Sequence, residues 1–442
     1  MAEETRVPIT EAVSGDPGRR TSATAALRYR DFRLFWIGMV VSNVGSWMQL
    51  YALGYLVVQL AIRDGVPHLA PFYIGVLGLA RALPSLAFGL FGGVVADRAD
   101  RRKLLLLTQV AATLNALAIA ILTITERINI VEVVVIGAIG STIFSFDAPT
   151  RQAMVPRLVR DRDLVSAIGL NSVAFNGAQL AGPVLGGILY IPFGLGGLFM
   201  INALSFSAVI AALILMAPVP AAARQRDVTV LRSIREGLGY VRHDVVVRWI
   251  IILTAAAALL TRPWIQLLPA FTEQILRVGA VELSWLMGAS GFGALGGALV
   301  TASLGNLRRR GLILVISASA MAALVAVFAL QRSLLIALPL LALVGFATML
   351  FMGMANTLVQ TRTPDHLRGR VMSVHTMVFL GVMPLGTLFL GALGTVVGVD
   401  VALFAGALAV LALVLYAAAR VAPLRDAVAT WRSAPVPVRS RA

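Results

Sequence analysis

Cysteine is absent from the 442 residues, which excludes a disulfide framework, thiol catalysis and thiolate metal sites. Lysine is nearly absent, since Lys103 stands alone against 36 arginines. A phosphate-binding loop of the G-x-x-x-x-G-K-[ST] type needs a lysine behind glycines, and Lys103 follows Arg101 and Arg102 instead. An ATP-driven pump or phosphoryl-transfer enzyme therefore has no anchor. The four histidines, His68, His243, His366 and His375, show no metal-ligand spacing. Charge is also scarce: 13% of residues are charged, too few to cover the surface of a soluble chain of this length. These absences predict a protein without catalytic residues, cofactor or metal.

What is present is apolar. Hydrophobic residues make up 59% of the chain, as expected of a surface that faces lipid. The net charge of +16 would usually suggest nucleic acid. Here the basic residues fall between apolar runs, which points to a lipid bilayer and away from nucleic acid.

Twelve apolar segments are long enough to span a membrane, near 33–60, 72–96, 104–125, 131–155, 164–190, 197–217, 248–270, 282–304, 311–330, 334–360, 370–394 and 400–420. Residues 1–27 are polar, carry both signs of charge and read as a disordered tail, and 421–442 read as a second tail. The one long connection, 218–247, opens with a Pro/Ala linker from Pro218 to Ala223. It continues as a basic amphipathic helix from Val230 to Val247, suited to the membrane surface. It separates an N-terminal unit, 28–217, from a C-terminal unit, 248–420. With the N-terminus placed inside, 31 basic residues fall on the inner side and 4 on the outer, with Arg81 and Arg262 within spans. That bias predicts both termini in the cytoplasm.

A shift of 204 residues brings Gly92 and Gly93 onto Gly296 and Gly297, Gly182 onto Gly386, Gly187 onto Gly391, and Asp161 onto Asp365. The expectation is an all-α membrane protein of two pseudo-symmetric six-helix bundles, with a substrate site between them near mid-membrane.

Three segments carry more specific chemistry. Between spans two and three runs Gly93-Val-Val-Ala-Asp97-Arg98-Ala-Asp100-Arg101-Arg102-Lys103. Its glycines permit close helix approach, and an aspartate there can meet the positive end of a neighbouring helix. Span five holds Gly169, Ala178, Gly182, Pro183, Gly186 and Gly187, a flat small-residue face with a kinking proline. Plain helix packing would also explain it. Span four ends Phe146-Asp147-Ala-Pro149-Thr-Arg151-Gln152, where Asp147 and Arg151 share a face at i, i+4. A carboxylate at that depth is costly. It is either a proton-coupling group or half of a local ion pair that orients the helix.

These segments resemble the motifs of the major facilitator superfamily. The loop resembles its signature G-x-L-A-D-R-x-G-R-K/R, with Asp100 in place of a glycine and Val95 of a leucine. The D-R-x-D-R-R form is similar to the drug:proton antiporter branch, which includes macrolide efflux pumps and enterobactin exporters. The resemblance implies a cytoplasmic gate at Gly93, Asp97, Arg98, Arg101 and Arg102. It also implies an antiporter motif in span five, with Ala178 replacing a glycine, and proton coupling at Asp147 and Arg151. Glu236-Gly237-Leu238 and Tyr240 to Arg242 resemble the interfacial helix before span seven.

Polar and aromatic residues inside spans are candidates for the substrate cavity: Asn43, Trp47 and Tyr51 on one face of span one, then Arg81, Asn176, Gln179, Arg262, Trp264 and Asn356, with Gln266 and His375. Met48, Met352 and Met383 offer an adaptable apolar lining. Interhelical packing explains each of them as well. Arg81 and Arg262 need a partner, either an anionic substrate group or one of Asp147 and Glu273. The expected function is export of a small lipophilic or amphiphilic molecule by alternating access, coupled to protons, by a monomer in the bacterial inner membrane. A facilitator or importer on the same scaffold is the alternative.

Overall fold

The computed structural model describes residues 22–98, 100–217, 230–304 and 309–425, without the side chains of 89–98, 230–235, 423 and 425. The described residues form helices and no strands. Ten helical segments among them are long and apolar enough to cross a membrane. Helix α1, Arg30–Arg63, falls outside those ten; Ser42, Asn43, Ser46 and Gln49 interrupt its apolar run.

Helices α2 (Ala70–Arg98), α3 (Arg101–Ile124) and α4 (Ile130–Met154) follow. Helix α5, Leu164–Leu215, runs 52 residues, about 78 Å at 1.5 Å per residue, against a bilayer core of about 30 Å. It is broken at Gly194, whose φ of 61° and ψ of −174° leave helical space. Only glycine adopts that conformation without strain.

Helix α6 (Val230–His243) is shorter than the expected Val230 to Val247. Asp244 stops it, because its side chain accepts from Val247 N and caps α7 (Val245–Ala256). Span seven is not one smooth helix. Two π turns, Ala257–Thr261 and Thr272–Leu276, flank α8, Trp264–Phe271. Pro263 and Pro269 remove backbone donors here, and the wider turns take up the mismatch. The remaining helices are α9 (Ala280–Ser303), α10 (Arg310–Ala329), α11 (Leu334–Arg362), α12 (Asp365–Val397), α13 (Val399–Arg420) and the short α14 (Ala422–Arg425).

Helices α1 to α5 pack on one another, and α7 to α13 do the same. The two sets meet where α5 lies on α9, α2 on α12, and α1 and α2 on α8. One end of the molecule gathers most of the arginines and is called the basic end here. Residues 22–27, placed in the tail by the sequence reading, are folded at that end together with Arg28. The turn Ala25–Arg28 buries Ala26, whose N–H donates to Ser166 Oγ, and Ser166 in turn donates to Ala23 O. Tyr29 donates to Asp163, which also pairs with Arg28. Residues 1–21 of that tail, much of the 218–247 linker, and 426–442 lie outside the described residues.

Candidate functional site

The loop motif is a joint at the basic end. Asp100 accepts from the N–H groups of Arg102 and Lys103 and so caps α3. An aspartate in place of the superfamily's glycine thus has a structural reason. Arg101 donates to Ala153 O at the end of α4, and Arg102 to Ile214 O at the end of α5. The side chains of Asp97 and Arg98 lie outside what the structure describes, and of Gly93 only the helical backbone is described.

The span-five residues face two helices. A methyl group built on Gly182 would lie 2.5 Å from Trp47 Cβ, and one on Gly186 would lie 2.8 Å from the Tyr51 ring. Ala178 and Pro183 are buried on the same packed stretch. Gly187 instead touches Ser284 of α9, and along the same seam Gly288 meets Val184 and Gly291 meets Leu180. The contact then ends. Nothing lies within 4 Å of a methyl placed on Gly177 or Gly169. On the facing ridge of α9, Leu295 is 40% exposed and Leu299 is 73% exposed. Helices α5 and α9 therefore touch away from the basic end and part toward it.

The α2–α12 seam behaves similarly away from the basic end. A methyl on Gly75 would sit 2.7 Å from Leu388 Cα, and Gly391 meets Pro71. Further along, a methyl on Gly78 would lie 3.9 Å from Thr387, and one on Gly381 would lie 3.7 Å from Leu86. Tyr51 Oη donates to Ala280 O, and Gln274 to Pro67 O, both across the two sets. The result is a cleft closed at one end and open at the basic end.

Asp147 and Arg151 form the expected i, i+4 ion pair and are both buried. Two further groups complete it: Thr108 Oγ1 and Gln109 Nε2 of α3 donate to Asp147 Oδ1 at 2.8 and 2.6 Å. Arg151 Nη2 reaches Ser42 Oγ of α1 at 3.4 Å. Sequence reasoning missed Thr108, Gln109 and Ser42. Adjacent polar residues inside an apolar α3 were the available signal. The cluster joins α1, α3 and α4, so Asp147 points into a helix seam.

The cavity candidates divide. Tyr51 is buried in the contact with α9, and Trp264 is buried against the Phe328 ring, centroids 6.2 Å apart. Both belong to the core, because the apolar surface of a neighbouring helix covers each. Met48 is buried with them. Trp47 is partly exposed and stands edge-on to Phe175, and Asn43 on the same helix is also partly exposed. Asn176, Gln179 and Asn356 are exposed. Asn176 donates to Ser172 O, and Asn356 accepts from Gln360.

Neither arginine candidate finds a carboxylate among the described residues. Asp147 belongs to Arg151, and Glu273 lines a separate pocket with His68 and Gln274. The Arg81 side chain has no hydrogen-bond or ion-pair partner among the described residues, and it runs along Gly137 of α4. Arg262 closes the first π turn by donating its backbone N–H to Ala257 O. Its guanidinium carbon sits 4.8 Å from the Phe379 ring centroid on α12, and its Nε is buried without a hydrogen bond.

A family described as transmembrane secretion effector matches residues 21–439. The multidrug efflux pump Tap of Mycolicibacterium fortuitum is 26% identical over 86% of this chain and 93% of its own length. The enterobactin exporter EntS of Escherichia coli is 22% identical over 79% of this chain and 84% of its own. Among solved structures, the nucleoside transporter NupG shares the fold with a TM-score of 0.66 at 12% identity, covering 88% of this chain and 98% of that one.

Proposed function

Because the chain belongs to the transmembrane secretion effector family of the major facilitator superfamily, we propose that it exports a small lipophilic or amphiphilic molecule by alternating access, driven by inward proton flow. The observation that carries this reading is the split seam between α5 and α9. A ridge of small residues that touches at one end and parts at the other is one of the two states an alternating-access transporter needs.

The proposed layout is twelve crossings in two six-helix bundles. Dividing α5 at Gly194 and counting α1 supplies the two crossings beyond the ten apolar segments. The 204-residue shift supports the division, since it carries α2 onto α9, α3 onto α10, α4 onto α11 and the second arm of α5 onto α13. In this reading the basic end faces the cytoplasm, with both termini there, and the cleft opens inward. The working unit is a monomer in the plasma membrane.

Asp147 is the proposed coupling group. Protonating it would release Arg151 and two α3 donors together and so loosen α4 from α3. The test is extrusion from proteoliposomes under an imposed proton gradient. Wild-type extrusion stops when the gradient is collapsed, whereas a facilitator would continue. Asp147→Asn transporting at the wild-type rate with unchanged pH dependence would remove that residue from the mechanism.

A further inference from the structure

Arg81 and Arg262 lie at comparable depth on opposite sides of the closed end of the cleft. A methyl built on Gly78, three residues before Arg81, would lie 3.9 Å from Gln266 Oε1 and from Thr387. Gln266 follows Arg262 by four residues, so each arginine sits about one turn to the basic side of this contact. At 100° per residue, Arg81 points between Leu77, which touches Gly137 of α4, and Gly78, which faces α8 and α12. Arg81 Cγ and Cδ lie 3.4 and 3.5 Å from a methyl built on Gly137, so the stem follows α4 beside the place where α2 meets α8 and α12. Arg262 is held over Phe379 on the far side, at a break in its helix where the π turn ends and Pro263 begins.

A cation inside the bilayer is costly and is retained where it pairs, or where it lines a water-filled path that a ligand enters. Arg151 shows the first solution in this same chain. Arg81 and Arg262 have no acidic partner among the described residues, and both are partly accessible. A guanidinium offers a planar fork of donors matched to an oxyanion. Two such forks flanking the roof of one cleft, with Gln266 and the Phe379 ring beside them, form a site for an acid group on an otherwise apolar body.

We propose that Arg81 and Arg262 are the specificity-determining pair of this transporter, and that its cargo carries an organic oxyanion such as a carboxylate, sulfonate or phosphate. This rests on the export reading for its direction, but not for the binding itself.

The test uses purified full-length protein in nanodiscs of zwitterionic lipid, with dansyl-phenylalanine as the acid probe and its methyl ester as the uncharged control. Wild type is expected to bind the acid about tenfold more tightly than the ester, the loss typical of one charged hydrogen bond. Arg81→Gln and Arg262→Gln should each weaken the acid about tenfold and leave the ester unchanged. Arg81→Lys and Arg262→Lys should recover part of the loss, which separates a charge requirement from a packing one. Equal wild-type affinity for acid and ester, absence of acid binding, or parallel loss of both in the glutamine variants overturns the proposal. Displacement of the acid by added phosphatidylglycerol assigns the pair to a lipid headgroup and also overturns it. Extrusion from proteoliposomes is the separate arm. Acid that binds through the arginines but is not extruded upholds the site and sinks the export reading. Ester extruded by a protein indifferent to the acid does the reverse.

Discussion

Two places in this molecule hold arginine inside the membrane-spanning region, and they are built in opposite ways. At the junction of α1, α3 and α4, Arg151 faces Asp147, and Thr108, Gln109 and Ser42 supply further polar partners. At the roof of the cleft, the Arg81 side chain has no polar partner among the described residues and the Arg262 guanidinium has an aromatic ring. The first arrangement answers its charges from within the protein. In the proposed site, the second leaves its charges to whatever enters the cleft. The same residue type inside an apolar run is thus paired within the protein in one helix and left without an acidic partner among the described residues in another, and the neighbouring helix decides which.

The largest expected effect comes from breaking the answered pair. Asp147→Ala leaves Arg151 buried and uncompensated, at a cost of about 3–5 kcal/mol, read as a drop in thermal stability in detergent. Replacing both members, Asp147→Asn with Arg151→Gln, should return most of that loss, to within about 1–2 kcal/mol of wild type in the same measurement, because no lone charge remains. The cleft arginines should behave differently. Arg262→Gln is expected to cost about 1 kcal/mol, the contribution of its contact with Phe379, and Arg81→Gln less than that. A large destabilisation by Arg81→Gln would erase the contrast.

The smallest effect belongs to a third kind of charge, at the membrane surface. The hydrogen bond from Tyr29, and then that from Arg28, hold the Asp163 carboxyl below its usual range, against the opposing effect of desolvation. Its folded pKa is depressed, so its contribution is complete above the ordinary aspartate range and fades as pH falls through the folded value. Melting curves of wild type and Asp163→Asn should differ at neutral pH, begin to converge only below about pH 4, and meet below the depressed folded value.

Much of the scaffold was legible in the sequence because lipid imposes simple rules: long apolar runs and basic residues gathered at one end. The ion pair of Asp147 with Arg151 was legible for a similar reason, since i, i+4 spacing is local. What could not be read was which helix covers a given face. Asn43, Trp47 and Tyr51 do recur on one stripe of α1. The stripe passes from the partly exposed Trp47 into a closed contact with α9 at Tyr51, and nothing in α1 marks the crossover. Trp264 has the same ambiguity. The π turns around α8 were hidden because hydrophobic periodicity does not distinguish a wider turn from an ordinary one. Their positions beside Pro263 and Pro269 gave the only local hint. Thr108 and Gln109 lie 39 and 38 residues from Asp147, beyond any spacing argument.

Gly194 has a mechanical consequence. The two arms of α5 join there through one left-handed residue, with no loop between them to absorb motion. Gly196, just beyond, presses on Ile124 at the end of α3. A tilt of the first arm is therefore passed to the second as if through a stiff elbow, and from there to α3. In the proposed alternating-access cycle, with no slack at this corner, the N-terminal helices would swing as one lever, hinged on the seams with α9 and α12.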